Sequence, residues 1–193
     1  MGKNAKVIVG IVCFALMMAI AVFTYNFLSG RVSPNIDFGP VSEQSYFSGS
    51  YENDKKAHDF TMTDKNGNNV KLSDMAGRAI VLNFWVSWCQ PCRNEMPDFE
   101  TVYRELGEEV QFMMVNLTDG KSETRESAEK FISDAEYTFP VFFDNLREGA
   151  SAYRVISIPT TVFIDKDGYI AATKPGALDE QSLRQYIAML TNS

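Results

Sequence analysis

The run Ala79-Ile80-Val81-Leu82-Asn83-Phe84-Trp85 is apolar at every position but Asn83, and an amphipathic helical pattern opens about five residues later. A strand-length run that is apolar on both alternating faces suits a central strand covered on both sides. The helix is predicted from about Gln90. Cys92, Met96, Phe99, Tyr103 and Leu106 follow one another at spacings of 4, 3, 4 and 3, which is one face of a helix. Gly107 is its expected stop. A buried strand feeding directly into a helix commits the chain to an α/β arrangement. The join between them is Trp88-Cys89-Gln90-Pro91-Cys92.

The pattern continues on both sides of that join. Phe60–Thr63 and Asn69–Leu72 read as strands around Asn66-Gly67, a hairpin signal. Val110–Leu117 reads as a second buried strand and Glu123–Ala135 as a helix, with Ala128, Phe131, Ile132 and Ala135 on one side. A short strand, Pro140–Phe143, precedes a short helix over Asn145–Tyr153, with Asp144 as its expected N-cap. Thr160–Ile164 and Tyr169–Thr173 form a second hairpin around Asp167-Gly168. Asp179 is the expected cap of a last helix, whose apolar stripe is Leu183, Tyr186, Ile187 and Leu190. The expected fold is an α/β sandwich with a mixed sheet, its N-terminal edge extended by the Asn66-Gly67 hairpin.

The first 28 residues stand apart. Val7 to Phe23 is almost wholly apolar, and the run continues more weakly to Leu28. A helical span of a bilayer needs about 20 residues, so this stretch is long enough. Lys3 and Lys6 precede it and Arg31 follows, which places the N-terminus inside and the remainder outside the cytoplasm. A cleaved signal peptide is the alternative, with Ala19-Ile20-Ala21 as its cleavage site. Residues 29–56 are rich in Ser, Gly, Asn and Pro and read as a tether, leaving 57–193 as the domain. Residues 31–193 hold 16 Lys and Arg against 25 Asp and Glu, with no basic run. That balance argues against nucleic acid as a partner, because phosphate binding needs clustered positive charge.

Three cysteines and one histidine, His58, limit metal chemistry, and Cys13 falls in the apolar N-terminal run. The remaining three are one ligand short of a structural zinc site, so no metal is expected. Cys89 and Cys92 suit a different chemistry. Cys89 falls at the start of a helix, where free backbone N–H groups and the helix dipole favour a thiolate. Cys-x-x-Cys cysteines at helix starts have lowered pKa values, and the thiolate is the attacking species in disulfide exchange. Cys92 lies one turn on, on the apolar face, and is expected to be the more buried. Pro91 suits the first helical turn. A structural disulfide is the competing reading, but closing so short a loop gains little. Glu95 lies one turn beyond Cys92 near the same face. From spacing alone it is equally well a solvated helix residue. Pro159, just before a strand, is by itself an ordinary turn proline. Trp88 is a candidate contact residue beside Cys89. His58 reads as a surface or edge residue.

The run Phe84-Trp85-Val86-Ser87-Trp88-Cys89-Gln90-Pro91-Cys92-Arg93-Asn94-Glu95-Met96-Pro97 resembles the active-site segment of the thioredoxin superfamily, and most closely its membrane-anchored TlpA/ResA branch. The likeness extends from His58 to about Leu190. His58-Asp59-Phe60 and Leu72-Ser73-Asp74-Met75-Ala76-Gly77 match the branch's opening hairpin, except that the family usually has Pro where this chain has His58. Ile158-Pro159-Thr160-Thr161 resembles the family's cis-proline loop, which faces the dithiol and pairs with substrate backbone. Lys121–Ala135 resembles the branch's extra helix. The resemblance implies a thioredoxin-like three-layer sandwich with that helix inserted. It implies that Glu95 is the active-site glutamate and that Ile158-Pro159 is cis; Ile158, just before that proline, is expected to shape partner choice. Thioredoxin itself has a buried Asp where this chain has Asn83, which cannot titrate.

The expected function is thiol:disulfide exchange outside the cytoplasm without cofactor or metal. Cys89 is the attacking sulfur, Cys92 the resolving one, and Glu95 the proton carrier. Electrons come from a membrane donor and leave to protein disulfides. The resemblance implies reduction, with cytochrome c maturation as the branch's best-known task. Two alternatives stand beside this reading. A peroxiredoxin-like peroxidase would usually carry Thr three residues before its reactive cysteine, where this chain has Val86. A copper or haem delivery module of the Sco type would use a wider Cys spacing and a His.

Overall fold

The computed structural model describes residues 14–24 and 55–191. Residues 14–24 are helical, with every side chain exposed, and belong to a compact unit separate from the C-terminal one. The rest of the expected anchor, residues 7–13 and 25–28, lies outside the described residues, as does the expected tether up to residue 54. Among the described residues no helix is long and apolar enough to cross a membrane.

The C-terminal unit is built on one mixed sheet. Its strands are β1 (Thr61–Thr63), β2 (Asn69–Lys71), β3 (Ala79–Trp85), β4 (Val110–Asn116), β5 (Val141–Phe143), β6 (Thr160–Ile164) and β7 (Ile170–Pro175), in the spatial order β2-β1-β5-β4-β3-β6-β7. The helices are α1 (Gln90–Leu106), α2 (Arg125–Asp134), α3 (Glu148–Ala152) and α4 (Glu180–Thr191). β3, β4 and β5 run parallel through the helical crossovers α1 and α2, while β6 and the two hairpins are antiparallel. All seven residues of β3 are buried, as an apolar run of that length requires in the centre of a sheet.

Alternation along β3 divides the core between two layers. Asn83 and Trp85 point to the face carrying α1 and α2, where Asn83 bonds Glu95 and the Trp85 ring lies 5.8 Å from that of Phe131. Phe84 points to the other face, where its ring meets Phe60 and Tyr153 at 6.3 and 5.8 Å. There α3 packs so closely that a Cβ on Gly149 would collide with the Phe60 ring.

Several predicted boundaries move, each for a local reason. The helix expected from Glu123 begins at Arg125, because Thr124 and Ser127 form a reciprocal capping box that leaves Glu123 outside. The helix expected from Asn145 begins at Glu148, after a turn closed by Arg147 N–H to the Asp144 carbonyl at 3.3 Å. Asp144 still caps it from further back, its Oδ2 accepting the Ala150 N–H at 2.9 Å. Gly107 ends α1 as expected, but with an ordinary φ of −63° rather than a left-handed one. Its requirement is space, since a Cβ there would stand 2.6 Å from the Tyr103 carbonyl oxygen. Asp179 caps α4 through Ser182 N–H at 2.8 Å.

Lys55 and Lys56, at the end of the expected tether, already pair with the domain. Ile170 N–H donates to the Lys55 carbonyl at 2.9 Å, and Ala57 N–H to that of Gly168 at 2.8 Å. These bonds sit at the turn joining β6 to β7, beside Ile164, which pairs with Ile80 near the start of β3.

Candidate active site

The site forms where β3 ends and α1 begins. Cys89 N–H donates to the Val86 carbonyl at 3.3 Å, closing a turn with Ser87 and Trp88 at its corners. Cys89 is the N-cap of α1, and its sulfur accepts the Cys92 N–H at 3.3 Å. A sulfur in that position takes one of the helix's unpaired N–H groups, an arrangement that favours negative charge on it once reduced. Pro91 occupies the first turn, where no N–H is needed. Cys89 and Cys92 are joined in a disulfide, with their Cα atoms 5.3 Å apart. Cys92 is fully buried and Cys89 is 6% exposed, the order expected of a resolving and an attacking sulfur.

The loop before β6 faces this disulfide. Its Ile158-Pro159 peptide is cis, and Cys89 Sγ lies 3.8 Å from the Ile158 carbonyl oxygen. Trp88 stands beside the cysteines with 60% of its surface exposed. Val86, Trp88, Leu117, Ile156 and Ile158 wall a cavity of about 210 Å³ between the two loops.

Glu95, one helical turn after Cys92 on α1, is buried at 2% exposure. Its Oε1 accepts from Asn83 Nδ2 at 2.9 Å, and its Oε2 accepts from the Leu178 N–H at 2.9 Å. Burial pushes its carboxyl up to about 7, against the opposing pull of those two donors, and the nearby charge of Asp98 adds to the rise. A group that titrates near neutrality can take and return a proton under ordinary conditions.

The structure thus brings together all six residues singled out in the sequence: Trp88, Cys89, Cys92, Glu95, Ile158 and Pro159. His58 is exposed and packs edge-on to Tyr153, with ring centroids 6.3 Å apart. Among the described residues no group of three or more His, Cys, Asp or Glu side chains is arranged to hold a metal ion. A buried carboxylate beside the site escaped the sequence reading. Glu123, expected in the helix that follows, instead points under the Trp88 turn, where it accepts from Ser87 and Asn116. The Thr124 and Ser127 spacing and the Asp119-Gly120 turn signal before it would have placed it ahead of the helix.

Known proteins match both the sequence and this geometry. The model of the AhpC/TSA family matches residues 54–173. The thiol-disulfide oxidoreductase ResA of Bacillus cereus is 33% identical over 153 residues, covering 77% of this chain and 85% of its own. The crystal structure of StoA from Bacillus subtilis superposes with a TM-score of 0.60 at 30% identity, over 68% of this chain and 97% of that one. The exposed lipoprotein thioredoxin Etrx1 of Streptococcus pneumoniae gives 0.62 at 30% identity, over 69% and 100%. The sheet order, the cysteine-capped helix and these matches agree: the chain belongs to the AhpC/TSA family, among its thioredoxin-like thiol-disulfide oxidoreductases of the ResA type.

Proposed function

We propose that the protein is a membrane-tethered reductase of protein disulfides that works outside the cytoplasm, with Cys89, Cys92 and Glu95 as its reacting groups. One observation carries this reading. Cys89 Sγ caps α1 and stands 3.8 Å from the Ile158 carbonyl, while Glu95, one helical turn after Cys92, is buried with a carboxyl raised to about 7. In the reduced protein the Cys89 thiolate attacks one sulfur of the partner's disulfide, and the other partner sulfur leaves as a thiolate and takes up a proton. Cys92 then gives its proton to Glu95 and attacks Cys89 Sγ; the second partner sulfur leaves as a thiolate and takes up the proton that Glu95 gives back. The partner gains two electrons, and the protein ends with the Cys89–Cys92 disulfide seen here. A membrane donor supplies two electrons and two protons to restore the dithiol.

The tether and the direction rest on other support. Residues 7–28 have the length and the flanking lysines of an anchor with its N-terminus inside. Phe14, Leu16, Met17, Met18, Ile20, Val22 and Phe23 are exposed on the helical stretch 14–24, an apolar surface suited to lipid. The Etrx1 relative is described as an exposed lipoprotein. Reduction is the direction that the TlpA/ResA likeness implies, and cytochrome c maturation is the specific task to test. Peroxidase chemistry is not favoured, because the position three residues before Cys89 is the buried, apolar Val86.

Cys89→Ser should abolish insulin reduction, and Cys92→Ser should trap mixed disulfides with the natural partners. A membrane-impermeant thiol reagent should label reduced Cys89 in intact cells. An active Cys89→Ser protein would end the mechanism, and labelling only after lysis would end the placement.

A further inference from the structure

We propose that Glu123 is a positioning residue for disulfide exchange: from beneath the Trp88 turn it fixes the pose in which Trp88 and Cys89 meet a protein partner. This inference rests on the exchange reading above and adds a residue to it.

Glu123 is 1% exposed, and both of its carboxylate oxygens are engaged. Oε1 accepts from Ser87 N–H at 2.9 Å and from Asn116 Nδ2 at 2.7 Å. Oε2 accepts from Ser87 Oγ at 2.8 Å. Ser87 is two residues before Cys89 and directly precedes Trp88, at the corner of the turn that ends on the reactive sulfur. Its remaining backbone group is held as well, since Arg93 Nη1 donates to the Ser87 carbonyl at 3.1 Å. The Arg93 guanidinium in turn lies over the Phe131 ring of α2, 4.6 Å from its centroid. Both backbone groups of Ser87 are therefore held, the N–H by Glu123 and the carbonyl by Arg93 of α1, which is itself braced on α2.

The grip is itself rigid. Asp119 N–H and Gly120 N–H both donate to the Glu123 carbonyl at 3.0 Å, and Glu123 N–H donates to Asp119 Oδ1 at 2.9 Å. Thr118 Oγ1 donates to Asn116 Oδ1 at 2.8 Å, which orients the Asn116 amide toward Glu123. Removing the carboxylate would leave the partly buried Ser87 N–H and hydroxyl, and the buried Asn116 amide, without their acceptor, a costly state that the turn escapes by shifting. What shifts with it is the surface a partner touches. Trp88 is the large exposed side chain on that turn, and Glu123 lines the same cavity as Trp88, Ile156 and Ile158.

A protein disulfide must meet Trp88, Cys89 and the Ile158 loop at once. A small aromatic disulfide need meet only Cys89. Loosening the turn should thus weaken productive docking of the first and leave the second alone. Glutamine can keep the geometry. Its carbonyl replaces Oε1, and the Ser87 hydroxyl, which can donate or accept, turns to accept from the new amide.

The test uses the full-length chain in detergent, with insulin and dithiobis(nitrobenzoate) as substrates, and thermal melts to confirm folding. For Glu123→Ala the insulin KM should rise about tenfold with kcat within about twofold, a loss typical of a docking surface, and turnover of the small disulfide should not change. Glu123→Gln should restore the insulin KM to within about threefold of the parent, since the hydrogen-bond pattern survives. Ser87→Ala should raise the insulin KM by an intermediate factor, and it decides the matter should Glu123→Ala fail to fold. An unchanged insulin KM in the folded variants overturns the proposal. So does an equal loss on both substrates, or a Glu123→Gln as impaired as Glu123→Ala, which would make charge rather than placement the role. Cys89→Ser serves as the separate control: if it still turns over either substrate, the exchange reading fails whatever Glu123 does.

Discussion

Asn83 Nδ2 donates to two acceptors at once, Glu95 Oε1 at 2.9 Å and Thr161 Oγ1 at 3.0 Å, while among the described residues its own Oδ1 finds no partner. The central strand thus presents Glu95 with an amide that cannot ionise. Two carboxyl groups in that space would compete for one proton. With Asn83 in place, Glu95 titrates without a second carboxyl beside it on β3, as the proposed proton transfer to the cysteines requires.

Glu95 should make the oxidised protein less stable as pH rises. Its folded-state carboxyl sits at about 7, above the ordinary value of 4.5. Between those values the folded state binds more protons than the unfolded one, so stability falls across that window and the full penalty, about 3 kcal/mol, is present above it. Glu95→Gln removes the charge at nearly constant shape. We expect it to be more stable than the parent by on the order of 2 kcal/mol at pH 8, and equal to it near pH 4.5. Its disulfide reduction should be slower and should lose any step near neutrality. Denaturant unfolding at the two pH values checks this, and a Gln variant that is weaker at pH 8 would contradict it.

Glu100, on the same helix, should behave in the opposite way. Burial alone would raise its carboxyl, but donors from Thr138, Arg104 and Phe139 outweigh that and hold it below its ordinary 4.5. The Thr138 N–H is 2.7 Å away, the Thr138 hydroxyl 2.6 Å and Arg104 Nε 2.6 Å. The unfolded state then binds more protons than the folded one, so this contribution is complete above the ordinary value and lost as pH falls through the lowered one. Glu100→Gln should cost about 1–2 kcal/mol at pH 7, with the difference closing in acid. Melting curves of the pair from pH 7 to pH 3 are the measurement.

Trp88→Ala should separate recognition from folding. With 60% of its surface exposed, the ring adds little to the core. The melting temperature should stay within a few degrees of the parent, since surface substitutions typically move stability by less than about 0.5 kcal/mol. The KM for a protein disulfide should rise by roughly tenfold, as for an exposed aromatic anchor. A large fall in melting temperature with unchanged KM would reverse the assignment.

What the sequence disclosed follows from how local each signal is. β3 and α1 were legible because both periods are strong and uninterrupted, and the cysteine pair falls at their junction. Unequal burial of Cys89 and Cys92 followed from helical spacing. The cis state of Pro159 came through family likeness rather than periodicity. The start of α2 was misread because the Thr124–Ser127 capping box wins over the apolar pattern, and that of α3 because a turn from Asp144 to Arg147 delays the helix to Glu148. The partners of Glu95 were hidden for another reason: Leu178 lies 83 residues away in sequence and meets it only because a loop passes over the helix. Glu123 was hidden likewise, since a carboxylate among polar residues looks solvated until the Ser87 turn is placed above it.

The short pairing of Lys55 and Ala57 with the β6–β7 turn has a mechanical consequence. That turn lies at the start of β3, and Cys89 follows its end, so the length of the strand, about 20 Å, separates them. The domain is therefore gripped at its heel and reacts at its toe. A pull on Lys55 loads the short Lys55–Ile170 stitch first, at the end of β3 away from the dithiol.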